Sequence, residues 1–209
     1  MNIQLKEVTT RKTTLVVNDK EQFELTFTDI VEDSVRVKET EEGYEIKYLV
    51  RDDNAESPNS WGDDNVILVH YHRDFEVTHN KIITKDDIRN WYQGTKIPQQ
   101  KDYHIFAVSA YIHSGISLSL TNDTYPFNDR WDVSHVGAIL LAKSEFKTRK
   151  KAYKYAEGHI ETWNQCLSGD VYGIVCERFD KERNSIDHDS VWGFYGGKYA
   201  LEALETGSY

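Results

Sequence analysis

The sequence predicts an α+β fold: a largely antiparallel sheet with one long amphipathic helix and short helices, preceded by an acidic β segment. Three observations carry that expectation. Residues 1–50 alternate apolar and polar side chains in short runs, residues 144–167 hold one apolar stripe at helical spacing, and the order of elements lacks the regular βα repeats of a parallel sheet. At 209 residues the chain suits one domain, or one domain with an appendage, taking ~100–200 residues per domain.

The elements follow in chain order. The runs Thr13–Val17, Phe23–Phe27, Ser34–Val37 and Tyr44–Val50 read as half-buried strands, with turns at Asn18-Asp19 and Glu42-Gly43. Residues 51–64 are polar, carry Pro58 and Gly62, and read as a surface loop or linker. Asn65–Phe75 is the strongest strand signal. Thr84–Gly94 reads as a short helix, with Thr84 as N-cap, Asp86 and Asp87 in the first turn and Gly94 as the stop. Tyr103–Ile112 and Ile116–Leu120 are two strands around His113-Ser114-Gly115, and Ser134–Ala142 is another. Ser144–Leu167 is the principal helix: Phe146, Tyr153, Ala156, Ile160, Trp163 and Leu167 recur at three- and four-residue steps, Ser144 can cap the start, and Gly169 lies just past the end. Val171–Phe179 and Ser190–Tyr195 read as a hairpin pair around the polar loop Asp180–Asp189. A last helix is expected over Lys198–Glu205. The division this implies is an acidic, β-rich segment over residues 1–60 and an α+β core over 61–209.

Composition narrows the function. The chain has 25 Lys+Arg against 35 Asp+Glu, a formal net charge of -10, which argues against a general DNA coat because phosphate neutralisation needs a cationic excess. The acidity is uneven: residues 1–64 hold 8 Lys/Arg and 16 Asp/Glu, net -8, whereas residues 65–209 hold 17 and 19, net -2. No run approaches the ~18 apolar residues of a membrane helix, and the first residues lack the apolar core of a signal peptide. A cytoplasmic protein with no membrane partner is expected. Cys166 and Cys176 are too few for a disulfide framework or a thiolate zinc site and suit a reducing compartment.

Four groups of residues carry candidate chemistry. In His70-Tyr71-His72-Arg73-Asp74, alternate strand residues share a face, so His70, His72 and Asp74 would line up as metal-compatible side chains. A divalent metal at His70 and His72 is the alternative to having no cofactor at all. The group partly resembles the H-x-H-x-D-H signature of the metallo-β-lactamase fold, but Phe75 follows Asp74 and the βα units are missing, which excludes that family. The second group, His113 with Ser114, His135 and Asp132, offers the roles of a nucleophilic triad without the strained G-x-S-x-G context. A catalytic reading therefore names His72, Asp74, His113, Asp132 and His135. The third group is the aromatic, glycine-rich C-terminal cluster, where Trp192, Phe194 and Tyr195 could stack on a base or fill a partner's pocket. The fourth is the basic helix face Lys143, Lys147, Arg149, Lys150, Lys151 and Lys154, six cations in twelve residues against Glu145 alone, a local positive field able to meet phosphates or an acidic surface. Lys147, Lys150, Lys151, Lys154, Trp192 and Tyr195 are the expected partner-binding residues.

Several strings also carry a resemblance: Tyr71-His72-Arg73-Asp74-Phe75, Ala110-Tyr111-Ile112-His113-Ser114-Gly115, Pro126-Phe127 with Trp131-Asp132 and Val136-Gly137, Glu161-Thr162-Trp163-Asn164-Gln165, Gly169-Asp170-Val171-Tyr172-Gly173 and Trp192-Gly193-Phe194-Tyr195-Gly196. Across roughly residues 61–197 they resemble uncharacterised proteins carried by phages, conjugative plasmids and other bacterial mobile elements. That resemblance implies a setting, since small mobile-element proteins often counter host restriction or CRISPR nucleases, and it implies no catalytic roles. The acidic first third has no counterpart in it. The expected function is inhibition of a host nucleic-acid-targeting defence by charge-driven binding to the nuclease or to its guide RNA or DNA. The alternative is a histidine-dependent nuclease or other hydrolase, with or without a divalent metal.

Overall fold

The structure is a computed structural model that describes residues 3–8, 12–18, 20–63, 65–71, 82–112, 115–121 and 133–209. It is an α+β protein whose paired strands are all antiparallel among the described residues. Contacts divide it into two compact units, one made of Met1–Ala55 with Gly169–Tyr209 and the other of Glu56–Ser168.

The first unit holds two sheets and a helix. Strands β1 (Ile3–Val8), β2 (Lys12–Val17) and β3 (Glu21–Leu25) form a three-stranded meander, while β4 (Arg36–Glu39) and β5 (Gly43–Arg51) belong to a second sheet. Period-two alternation works as it should: Leu15, Val17, Phe23 and Leu25 of the meander meet Ile46, Tyr48 and Val50 of β5 in one core. The rest of that second sheet comes from the far end of the chain. Strand β10 (Val171–Asp180) pairs with β5 from Tyr172↔Arg51 to Asp180↔Gly43, and β11 (Ser185–Tyr195) pairs outside it. Helix α3 (Gly197–Thr206) covers the opposite face, setting Ala200, Ala203 and Leu204 against Leu49, Tyr172, Ile174 and Phe194.

Composition places a boundary near residue 60, whereas the compact units part at two points, between Ala55 and Glu56 and between Ser168 and Gly169. The C-terminal residues 169–209, however, pair with the acidic segment rather than with the 61–168 stretch they follow. The charge division becomes sharper. The first unit carries 12 Lys/Arg and 21 Asp/Glu, net -9, and the second 13 and 14, net -1.

The second unit is one sheet between helices. Strands β6 (Val66–His70), β7 (Tyr103–Ile112), β8 (Ile116–Leu120) and β9 (Val133–Ala142) are ordered β6-β9-β7-β8. Helix α1 (Lys85–Tyr92) has the expected Thr84 cap as a reciprocal capping box with Asp87. Its Ile88 packs with Ile67, Val69, Ile105 and Leu140 on one sheet face. Helix α2 (Arg149–Ser168) covers the other face with Ala156, Ile160 and Trp163 of the predicted stripe and with Ala152, which the stripe did not include, against Leu68, Val108, Leu118 and Ile139.

Two local expectations are corrected. Helix α2 starts at Arg149 and not at Ser144. Glu145 and Phe146 donate their N–H groups back to the Ala142 carbonyl in a turn, which tucks Phe146 against the core, and the cap is Thr148, whose hydroxyl accepts from the Lys151 N–H. The polar loop Asp180–Asp189 is mostly strand. Asn184 donates from its backbone and its side chain to the Asp180 carboxylate, closing a tight turn, and Asp187, His188 and Asp189 continue as exposed residues of β11.

Both edges of the second unit's sheet are blocked by a side-chain amide. Asn164 of α2 donates to the Leu118 carbonyl and accepts from the Leu118 N–H, at 2.9 and 2.7 Å, and Asn59 does the same for Leu68 on β6. Each supplies the pair of bonds a further strand would have made.

Candidate functional site

Of the six cations expected on one helix face, Arg149, Lys150, Lys151 and Lys154 lie on α2 while Lys143 and Lys147 precede it, and packing separates the six into two sets. The Lys143 ammonium donates to the carbonyls of Gln100 and Lys101, closing the end of the 3-10 turn Pro98–Lys101. The Arg149 guanidinium donates to the Ile105 carbonyl and lies 4.3 Å over the Phe106 ring. Both hold the fold together. Lys147, Lys150, Lys151 and Lys154 remain, all exposed. Among the described residues none of these four has a carboxylate within ion-pair distance.

Beside them runs a groove of about 750 Å³, lined by Lys150, Lys151, Lys154, Tyr155, Gly158 and Trp61, with Thr148, His159 and Thr162 completing the wall. Lys151, Tyr155, Gly158 and Thr162 recur at three- and four-residue steps and so form a stripe distinct from the core-facing one. Trp61 arrives from the 3-10 turn Pro58–Trp61, whose Pro58 is buried. Trp61 and Tyr155 are each 49% exposed, and the Tyr155 ring leans on Phe146 at 4.9 Å between centroids.

Gly158 is the odd residue of the helix. A glycine inside an α-helix costs about 1 kcal/mol relative to alanine, and a methyl group placed there would meet nothing within 4 Å. Packing therefore does not require it. What the missing side chain does is leave the floor of the groove bare between Tyr155 and Thr162. His159 is half-buried, its Nε2 has no hydrogen-bond partner among the described residues, and burial lowers its pKa below the ordinary histidine value while Asp63 opposes that shift. It is a neutral wall at neutral pH, so the positive field of the groove belongs to the lysines.

The histidine candidates fare differently. His72, Asp74, His113, Ser114 and Asp132 lie outside the described residues. His70 is 2% exposed on β6, edge-on to the Trp163 ring of α2. Among the described residues no three His, Cys, Asp or Glu side chains are grouped to hold a metal ion. His135 meets Ser109: its Nδ1 stands 3.1 Å from the Ser109 hydroxyl, which shares a second hydrogen bond with Thr121. Ser109 is 1% exposed, so its oxygen is a structural link and not an attacking group. The pairing arises from a register shift between Val108 and Ser109, where β9 carries Val136 as an extra residue and His135 turns toward the Tyr92 ring, 5.1 Å away. Gly137 next to it is the signal, since a Cβ there would lie 1.9 Å from the Val69 carbonyl oxygen.

Trp192 and Tyr195 belong to the first unit, and the lysines to the second. The Trp192 ring lies across Gly173, where an added Cβ would be 2.4 Å from it, and meets Phe27 edge-on, while its indole N–H donates to Ser190. It holds β11 onto β10 while staying 41% exposed. Tyr195 is half-buried in the same pairing. Sequence reading missed Trp61, which sits in a polar loop, as well as Tyr155 and Gly158. The usable signals were an aromatic lying off the apolar stripe and a glycine in mid-helix.

No helix among the described residues is long and apolar enough to cross a membrane. No protein-family model, curated protein or solved structure matches the chain.

Proposed function

We propose that this chain is a mobile-element-encoded inhibitor of a host nucleic-acid-targeting nuclease, of the CRISPR-effector or restriction class, that acts by charge-driven binding rather than by catalysis. The observation that carries this reading is the partition of charge: net -9 in the first unit and -1 in the second, with Lys147, Lys150, Lys151 and Lys154 left unpaired among the described residues of the second. Channels that hold nucleic acid are lined with cations, so a dense carboxylate surface competes for sites that phosphates occupy. The basic groove supplies the opposite sign, suited to the nucleic acid such a nuclease carries. His70 and His135, committed to packing and to Ser109, lend no support to the hydrolase alternative.

The test is cleavage by a guide-loaded Cas9-type effector and by a restriction endonuclease, each titrated with the full chain at 50 and 300 mM salt. Inhibition that weakens steeply at the higher salt is expected, because exposed charges are screened over about a Debye length. Inhibition indifferent to salt would remove the electrostatic basis, and absence of inhibition in both classes would refute the function.

A further inference from the structure

We infer that the groove on α2 is a binding site for single-stranded nucleic acid, with bases stacked on Trp61 and Tyr155 and phosphates held by Lys150, Lys151 and Lys154. This deepens the proposed function by naming the ligand of its basic surface, and it rests on that reading only for its biological meaning.

Sites that grip single strands without reading sequence combine a cationic track with exposed aromatic faces, because every base has a π-face and every nucleotide a phosphate. The groove has both features on one stripe. Three ammonium groups and two half-exposed aromatics converge on it. Its volume of about 750 Å³ falls in the range of sites that enclose small ligands, enough for a base with its sugar and too narrow for a duplex, whose bases are already stacked on one another. From Lys150 to Thr162 the helix rises roughly 18 Å at 1.5 Å per residue, room for a short run of nucleotides.

The bare floor at Gly158 points the same way. A glycine that weakens its own helix, where an added Cβ would meet nothing, is accounted for by what must lie over it, and a flat base needs a surface without a protruding Cβ. An acidic peptide could satisfy the lysines, but it would have no use for two aromatic faces and a flat floor. That occupant is therefore an outcome of the test.

The test uses the full chain and fluorescent 12-mers of deoxythymidylate and riboadenylate, with anisotropy and tryptophan quenching as readouts. Binding is expected with a log K against log salt slope of about -2 to -3, since each phosphate contact on a single strand contributes about 0.7. Affinity then falls about 16- to 64-fold between 50 and 200 mM salt. Trp61→Ala and Tyr155→Ala should each weaken binding by about 5- to 150-fold with the salt slope unchanged, and Trp61→Phe should recover most of the loss. Lys150→Ala and Lys151→Ala should each lower the slope by about 0.7. Gly158→Leu, which fills the floor, should abolish quenching while its circular dichroism stays native.

Wild-type affinity in both aromatic variants, tighter binding of a 12-bp duplex, or displacement of the oligonucleotide by polyglutamate at lower concentration than by unlabelled oligonucleotide would each overturn the assignment. So would absence of binding at 50 mM salt. Oligonucleotide binding without nuclease inhibition would defeat the proposed function and leave the site standing. Inhibition by a Trp61→Ala, Tyr155→Ala double variant that no longer binds oligonucleotide would dissociate the site from the function.

Discussion

Replacing Gly158 by alanine separates two properties that usually move together. In the interior of α2 the exchange recovers about 0.8–1.0 kcal/mol of helix propensity, part of it by restricting the unfolded chain. No steric charge opposes this, because the new methyl would meet nothing within 4 Å. The melting temperature then depends on how much of the chain unfolds with α2. At about 2.1 cal/mol/K of unfolding entropy per residue, a gain of about 1 kcal/mol raises it by about 2 °C if all 209 residues melt together. The rise is about 4 °C if Glu56–Ser168 melts by itself. Differential scanning calorimetry on the two proteins reads both the sign and which of these holds. The same methyl stands on the floor of the groove, so oligonucleotide affinity should fall as stability rises. A variant that is no more stable would show that Gly158 answers to a packing constraint. One that is more stable and binds equally well would show that the bare floor serves no ligand.

Three further outcomes follow from buried or edge contacts. Glu177, 1% exposed on β10, accepts hydrogen bonds from the Tyr48 hydroxyl, the Thr26 N–H and the Thr26 hydroxyl. Tyr48→Phe should cost about 1.5–3 kcal/mol in urea unfolding and Glu177→Ala at least as much, since three donors, among them the buried Tyr48 hydroxyl, lose their acceptor; a loss below about 0.5 kcal/mol in both would mean water replaces the carboxylate. Asn164→Ala strips both bonds from Leu118 and opens the outer edge of β8, so a loss of about 1–3 kcal/mol and increased light scattering on storage are expected, and unchanged values of both would deny the edge-blocking role. The lowered pKa of His159 means that the unfolded chain binds this proton more readily, so stability is fully present above about pH 6.5 and falls as the pH drops through the window down to the folded value. In His159→Gln that part of the acid-side decline should disappear from pH-dependent unfolding curves; an identical pH profile in the variant would assign the decline to other groups.

Much of the fold was legible because it is local. The capping box at Thr84 and Asp87, the stripe through Ala156, Ile160 and Trp163, and the alternation in β2, β3 and β5 are patterns within a few residues, and they survive in the structure nearly as written. Ser144 and Thr148 are both residue types that cap helices, so local sequence does not fix the start of α2. Phe146 decides between them by turning into the core. The loop at Asp180–Asp189 was overdrawn because Asp187 and Asp189 are poor strand formers, yet cross-strand pairing, including the Arg178–Asp187 ion pair, carries them along β11.

For the site, sequence found the lysines but not what stands beside them. A run such as Lys150, Lys151 and Lys154 is visible by counting. That Lys143 and Arg149 are spent on the carbonyls of Gln100 and Ile105 is visible only in space. Trp61 lies 94 residues before Tyr155 in the chain, and no local pattern links the two.

By itself, then, the sequence determined the kind of each element, the faces that would be buried and the unequal distribution of charge, because each of these is fixed by the chemistry of near neighbours. Only the tertiary structure decided that β10 joins β5 and so gathers residues 169–209 into the acidic unit, that Ser109 meets His135, and that Trp61 closes a groove over Gly158. Such pairings are chosen by shape and by hydrogen bonds made across long stretches of chain. Their entropy cost grows only slowly with the length of the loop they close, so many distant partners are open to a segment, and the one that fits leaves no mark in the residues on either side of it.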